Sequence, residues 1–421
     1  MNSPLIVGIG KMGSQAVELM RDMNPISIDN AAPLADFRSI TSAIASSVPN
    51  PNNPLYICLF APDNATDSLV QEIGVTADRF HGQRFIVIDF SNAHFQKSSG
   101  RAKQLSLKGI EYIGAGISGG TSIYANGASI FHDQYTEDPC VEKIFLALCK
   151  GDPRRIVDCG PNPNGHLVKS VHNSLEYIEL SLLSSCFEGL SAAIGSLPHD
   201  FIRSLMSPRY RSYLADIMFA NLEENYGDRL GSKKRHDIAE NGSVRSLIEY
   251  CFDNRIPIRL PTCALNGRFA PRKTYCEAVT PLRAQSQVGL GDLFLRIIDA
   301  VRLYSIHEAI EILGHISHNS TQKLKEIFQV YSGFSVIRGD YWRAINELMS
   351  RSHNADDASR ELYHGAKDEL FGILSCLQPG CFWYIPPIFW SAISACAEDN
   401  GIITNFPISI ARNRFGGHEK T

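Results

Sequence analysis

The stretch PLIVGIGKMG, residues 4–13, decides how the first part of the chain is read. Leu5, Ile6 and Val7 form a short apolar run of strand type. Gly8, Gly10 and Gly13 follow at G-x-G-x-x-G spacing, and the helical pattern SQAVELM lies beyond. A strand that turns through such glycines into a helix lets backbone approach a pyrophosphate at the helix N-terminus. Alone, the motif is also an ordinary glycine-rich turn. A carboxylate in the next strand-like run, ISID, strengthens the nucleotide reading: Asp29 lies about 20 residues past the first glycine, where it can accept hydrogen bonds from ribose hydroxyls. Gly8, Gly10, Met12, Gly13 and Asp29 are therefore expected to bind a dinucleotide. NAD is the preferred cofactor and NADP the alternative, because no arginine directly follows Asp29 to hold a 2′-phosphate; Arg38 is the nearest downstream. As a residue, Asp29 could equally do no more than cap a loop.

Working outward, the strand-like runs LYICLF, FIVIDF and IEYIGAG alternate with amphipathic segments such as SQAVELMRDM and RAKQLSLKG. This is βαβ grammar and implies a parallel sheet with helices on both faces. After Pro163 the texture changes to long helix-period segments, beginning with LVKSVHNSLEYIELSLLSSCFEGLSAAIG. The boundary falls in CGPNPNG, a cluster suited to a turn. The expected fold is α/β: an N-terminal Rossmann domain with a parallel, doubly wound sheet over 1–160, then an all-α domain for substrate and dimerisation over 161–400, then an extended C-terminal tail over 401–421.

With 421 residues and 44% apolar side chains, the chain exceeds the size at which single cores usually split. A formal charge of -4 offers no basic excess for a phosphate backbone, so nucleic acid is not an expected partner. The eleven cysteines have no CxxC or CxxH spacing, which argues against a disulfide framework and against zinc. No metal is expected. A cytoplasmic setting fits this cysteine usage. The N-terminus lacks a basic segment ahead of its apolar run, and no stretch is apolar for long enough to span a bilayer.

The segment GHLVKSVHNSLEY, residues 165–177, opens the helical part. At 3.6 residues per turn, Lys169, His172, Asn173 and Glu176 stand at i, i+3, i+4 and i+7 and share one face. Lys169 and Glu176 are roughly 10 Å apart along the axis, suited to flanking a small extended substrate. Leu167, Val168, Val171, Leu175 and Ile178 cover the rest of the helix, so the polar stripe is expected to face a cleft rather than open solvent.

GHLVKSVHNSLEY resembles the signature helix of the decarboxylating 6-phosphogluconate dehydrogenases, and GAGISGG at 114–120 resembles their substrate loop. The resemblance implies that Lys169 is the general base and acid and Glu176 a later proton donor. It places His172 and Asn173 on substrate hydroxyls and carboxylate, and Tyr177 at the phosphate. Ser118, Gly119 and Gly120 would bind the carboxylate end. Asn92, in VIDFSN, would sit between cofactor and substrate. Arg245 and Arg272 would reach the substrate phosphate, and Arg412 and His418, in RNRFGGH, would enter a partner subunit's site. A homodimer with exchanged tails follows from that implication. Read singly, Ser118-Gly119-Gly120 could be a turn, Asn92 a helix cap and Tyr177 core packing.

The implied reaction is oxidative decarboxylation of 6-phosphogluconate or a closely related phosphorylated or phosphonylated 3-hydroxy acid, with hydride transfer to NAD(P). Departures from the family pattern bear on the substrate. Arg245 stands where the family has a lysine, and NGASIFHD replaces a Met-Pro-Gly-Gly strand end. Two alternatives remain open: a β-hydroxyacid dehydrogenase that stops at the ketone, and a non-catalytic NAD-binding paralogue.

Overall fold

The computed structural model describes residues 3–47, 53–119, 123–196, 198–220, 242–269, 289–317, 320–377 and 385–399. Strands β1 (Leu5–Val7), β2 (Ile26–Ile28), β3 (Leu55–Leu59), β4 (Phe85–Asp89), β5 (Glu111–Ser118), β6 (Ser129–His132) and β7 (Ile156–Asp158) form a seven-stranded sheet in the order β2-β1-β3-β4-β5-β6-β7. Helices α1 (Lys11–Leu19), α2 (Ile40–Ser47), α3 (Asp63–Ala77), α4 (Phe95–Ser106), α5 (Ile123–Asn126) and α6 (Pro139–Leu148) connect them.

The strands read as near-continuous apolar runs because a parallel sheet is covered on both faces. All residues of β3 and β4 are buried. Successive side chains alternate between two cores. Leu5, Val7, Ile57 and Val87 pack with Ile40, Ile44, Val70 and Ile73 from α2 and α3. Ile6, Ile86, Ile88 and Ile113 pack on the other face with Ala16 of α1 and Val141 and Phe145 of α6. Helix α6 begins where Pro139 follows Asp138, whose carboxylate accepts from Cys140 N at 2.9 Å.

Strands β1 to β5 pair in parallel, but β6 runs antiparallel to β5, unlike the wholly parallel sheet expected from the sequence. A parallel crossover takes a dozen or more residues. The connection after Ser118 is too short for one, so the chain doubles back. Strand order reverses at β1, which pairs with β2 on one side and β3 on the other. The crevice beyond the carboxyl ends of β1 and β3 is where doubly wound sheets bind ligands.

The remainder is helical: α7 (Asn164–Ile194), α8 (His199–Leu205), α9 (Tyr213–Ala220), α10 (Ser243–Asp253), α11 (Leu260–Phe269), α12 (Leu290–Ser317), α13 (Thr321–Phe334), α14 (Trp342–Arg351), α15 (Ala355–Cys376) and α16 (Pro387–Asp399). Ser320 and Asn354 cap α13 and α15 by accepting from Lys323 N and Asp357 N. Helix α7 packs on β5 and β6 near its start and on α10, α11 and α12 along its length. It stops at Gly195, whose φ of 71° is left-handed and suits a glycine C-terminal to a helix. Its midpoint carries Glu179, buried against Arg302 of α12, with Arg302 Nε donating to Glu179 Oε2 at 3.0 Å. Ser212 Oγ donates to Glu179 Oε1 at 2.9 Å, and the Arg302 guanidinium lies 4.1 Å from the Tyr341 ring centroid. Among the described residues, no helix is long and apolar enough to cross a membrane.

Candidate active site

The glycine loop is built by close packing. Gly8 has φ +88°, and a Cβ there would lie 3.1 Å from the Phe60 carbonyl carbon and the Ala61 nitrogen beyond β3. A Cβ on Gly13 would lie 1.9 Å from Gly8 O, so α1 can start this close to β1 only with glycine there. Gly10 differs: a Cβ would meet nothing within 4 Å, which leaves an open approach. The N-terminus of α1 has no side-chain cap and no acidic residue in its first turn. Open backbone N–H groups at an uncapped helix start suit a pyrophosphate, so the residues fit a dinucleotide. Met12 is half-buried and packs against the sheet core.

Asp29 follows β2 and ties the loops together. Its Oδ2 accepts from Ile9 N at 3.0 Å, and its Oδ1 accepts from Ala31 N at 2.9 Å and Ala32 N at 3.0 Å. Partial burial works against the ionised carboxyl. These N–H donors and nearby Arg38 outweigh it and hold the pKa below the usual carboxylate value. Arg38 donates to Ala32 O at 2.6 Å, which places a guanidinium beside this loop. Asn92 is exposed just past β4, after a turn in which Ser91 N donates to Asp89 Oδ1 at 2.9 Å.

The polar stripe of α7 lies against β5. A Cβ on Gly116 would come 2.3 Å from Lys169 Cβ, and one on Gly165 would come 2.5 Å from Gly114 O. The glycines of GAGISGG and of the α7 start therefore let helix and strand touch backbone to backbone. Asp133, in the segment that departs from the family pattern, locks the joint: its carboxylate accepts from Gly165 N at 2.7 Å and Gly114 N at 2.9 Å. Burial pushes its carboxyl up from the usual range against those donors. A Gly116→Ala substitution sets a methyl into the lysine stem, and overpacking of this kind costs about 1–3 kcal/mol. The expected result is a lower melting temperature together with at least tenfold lower turnover, read by thermal unfolding and nicotinamide reduction.

Lys169 is 7% exposed, and burial lowers its pKa to about 8, with Glu176 pulling the other way. Its Nζ lies 3.2 Å from His172 Nδ1. Burial first, then the Lys169 charge, hold the His172 pKa well below 6.5, so the imidazole is neutral at neutral pH. His172 Nε2 is 3.2 Å from Ser118 Oγ, and Nδ1 is 3.3 Å from Asn173 Oδ1. Asn173 in turn donates through Nδ2 to Ser243 Oγ at 2.9 Å. Glu176 is half-buried, two turns beyond Lys169. Leu167, Val168, Val171, Leu175 and Ile178 are all buried, so the apolar remainder of α7 packs as its sequence pattern requires.

The structure thus brings Lys169, His172, Asn173 and Ser118 into one hydrogen-bonded set with Glu176 nearby. Gly119 adjoins it with φ +139°. Tyr177 is 5% exposed and belongs to the helical core. Arg245 is exposed on the first turn of α10, two positions after Ser243. Gly120, Arg272, Arg412 and His418 lie outside the described residues. Sequence reasoning missed Ser243, although it stands beside Arg245 in AENGSVRSL. It also missed Val336, whose N–H donates to Ser118 Oγ at 3.4 Å, and Asp133. The last two carry no local signal, because only the fold brings them to the stripe.

Comparisons with known proteins bear on the fold and the chain's relatives. Residues 5–134 match the family model described as the NAD binding domain of 6-phosphogluconate dehydrogenase. The NAD(+)-dependent decarboxylating 6-phosphogluconate dehydrogenase of Bacillus subtilis is 24% identical over 393 residues, covering 84% of this chain and 81% of that protein. The NADP(+)-dependent decarboxylating enzyme of the same organism is 25% identical over 321 residues, covering 71% and 67%. Among solved structures, Plasmodium falciparum 6-phosphogluconate dehydrogenase superposes with a TM-score of 0.74 at 17% identity, covering 100% of this chain and 98% of that one. The last likeness is one of fold. Taken with the glycine loop and the α7 stripe, these matches make the chain similar to the decarboxylating 6-phosphogluconate dehydrogenases, with the match to the NAD binding domain at residues 5–134.

Proposed function

We propose that the chain oxidises and decarboxylates 6-phosphogluconate, or a closely related phosphorylated or phosphonylated 3-hydroxy acid, as an NAD(P)-dependent dehydrogenase. The observation that carries this reading is Lys169: a buried amine with a pKa near 8, beside a neutral imidazole and near a carboxylic side chain on the same helix. A neutral amine can take the proton of the substrate hydroxyl. A bound nicotinamide would supply the acceptor for the hydride of the same carbon. Once that carbon is a ketone, the β-carboxylate leaves as carbon dioxide and the electrons move into the ketone as an enolate. Lys169, now an ammonium, donates to that oxygen and stabilises its charge. Glu176 then delivers a proton to the carbon that lost the carboxylate. Ser118 and Gly119 hold the carboxylate end, while His172 and Asn173 fix the hydroxyls. Arg245 is the phosphate ligand within the described residues, and its forked guanidinium suits that role.

NAD is the preferred cofactor in this reading, since Asp29 stands at the ribose position; Arg38 beside it is the group that would serve a 2′-phosphate. We read 401–421 as a tail completing the site of a second copy, with Arg412 and His418 as its contributions. The test is an assay of the purified chain with 6-phosphogluconate and related phosphorylated and phosphonylated aldonates, using NAD and NADP in turn. One carbon dioxide per reduced nicotinamide, faster with NAD, is expected. Reduction without carbon dioxide would replace this reading with a β-hydroxyacid dehydrogenase. Nucleotide binding with neither product would leave a non-catalytic NAD-binding protein.

A further inference from the structure

Tyr331, near the end of α13, reaches the turn of α7 that carries Lys169. The tyrosine is fully buried, and its ring lies 5.3 Å from both Phe131 and His172, edge-on to each. Its hydroxyl donates to the carbonyl of Val168. In a regular helix that carbonyl also accepts from the N–H of His172, four residues on. The hydroxyl therefore adds a second donor at one rung of the helix ladder. The turn spanned by this rung is Lys169-Ser170-Val171.

We propose that Tyr331 is a positioning residue for the reaction, its hydroxyl on the Val168 carbonyl and its ring against the His172 imidazole fixing the turn that presents Lys169 and His172 to the substrate. This rests on the function proposed above. The loop leaving α13 acts on the same imidazole from its other end, because Val336 N donates to Ser118 Oγ, the partner of His172 Nε2. His172 is thus packed against the Tyr331 ring and held at Nε2 through Ser118. Removing the hydroxyl takes one donor from a buried carbonyl and frees this turn from its tie to α13. A shift of the turn moves the 3.2 Å contact between Lys169 Nζ and His172 Nδ1. Burial keeps the phenol protonated far above neutral pH, so it donates across the working range. Among the described residues, the ionisable groups facing the lysine are His172 and Glu176 of its own helix, with Tyr331 reaching its turn from α13.

The test uses full-length protein with Tyr331→Phe, which keeps the ring and loses the hydroxyl. Turnover on 6-phosphogluconate should fall about 10- to 100-fold from misplacement of the base, with KM within about threefold of the parent. In 13C-lysine NMR, assigned by loss of the signal in Lys169→Met, the Lys169 titration should move upward as water gains access to the amine. Phe328→Leu is the packing comparison: its ring sits 5.4 Å from Tyr331. It should lower the melting temperature and leave the titration in place. An unchanged titration in Tyr331→Phe, or an equal movement in Phe328→Leu, would overturn the proposal. A parent protein that turns over no phosphorylated aldonate would instead overturn the functional reading, and the titrations would still decide whether Tyr331 sets the lysine.

Discussion

Lys169→Met is expected to lower turnover by about 10²–10⁴-fold, the contribution of a positioned general acid-base group. It should also erase the acidic limb of the kcat/KM profile, which in the parent lies near pH 8, where the buried amine gives up its proton. The substitution has a second consequence, in stability. The folded pKa lies below that of a free lysine, 10.5 against about 8. Between those values the unfolded chain binds more protons than the folded one, so parent stability rises with pH across that window. Below pH 8 the cost of burying an ammonium is present in full. Above pH 10.5 it is gone. Methionine removes the cost at every pH, so the variant should be more stable than the parent at neutral pH, by an amount on the order of 3 kcal/mol that vanishes in alkali. Urea unfolding at pH 7 and pH 10.5 reads the difference. A variant with parental turnover, or one without that pH-dependent gain, contradicts a buried catalytic amine.

Arg302→Leu should cost about 3–5 kcal/mol, because it strands the buried Glu179 carboxylate without its counter-charge. The leucine variant should regain stability on acidification, as the stranded carboxyl takes up a proton. Replacing both partners with apolar residues should recover most of the loss, since a buried ion pair roughly breaks even against well-packed hydrophobic groups. Chemical denaturation of the two single variants and the double variant measures this directly. Single variants within 1 kcal/mol of the parent would mean that the pair is wetter than its 3% and 4% exposures indicate.

The sequence disclosed the sheet through its fully apolar runs and the stripe through helical spacing. Both are local patterns, and β3, β4 and α7 stand where those patterns place them. The reversal of β6 was not legible from the alternation of strand and helix, because it turns on a connection too short to cross over. Asp29 shows a different limit. Spacing from the glycines singled it out, yet only the fold reveals that its oxygens already accept from Ile9, Ala31 and Ala32. A ribose arriving there would share a carboxylate that also holds the loop. The stripe was legible as a face but not as a hydrogen-bonded set, since Ser118, Ser243 and Tyr331 lie far from it in sequence. Arg245 was found by resemblance, and the neighbour that reaches Asn173 is Ser243 instead.

Helix α7 begins clamped to β5 through Gly114, Gly116, Gly165 and Asp133, and it ends among α11 and α12 without a break. Such a girder, about 46 Å long at 1.5 Å per residue, cannot flex like a hinge without losing ladder hydrogen bonds. The sheet and the helical bundle therefore have no jaw-like motion available about it. Access to the stripe on this helix therefore needs no bend in the element that carries it.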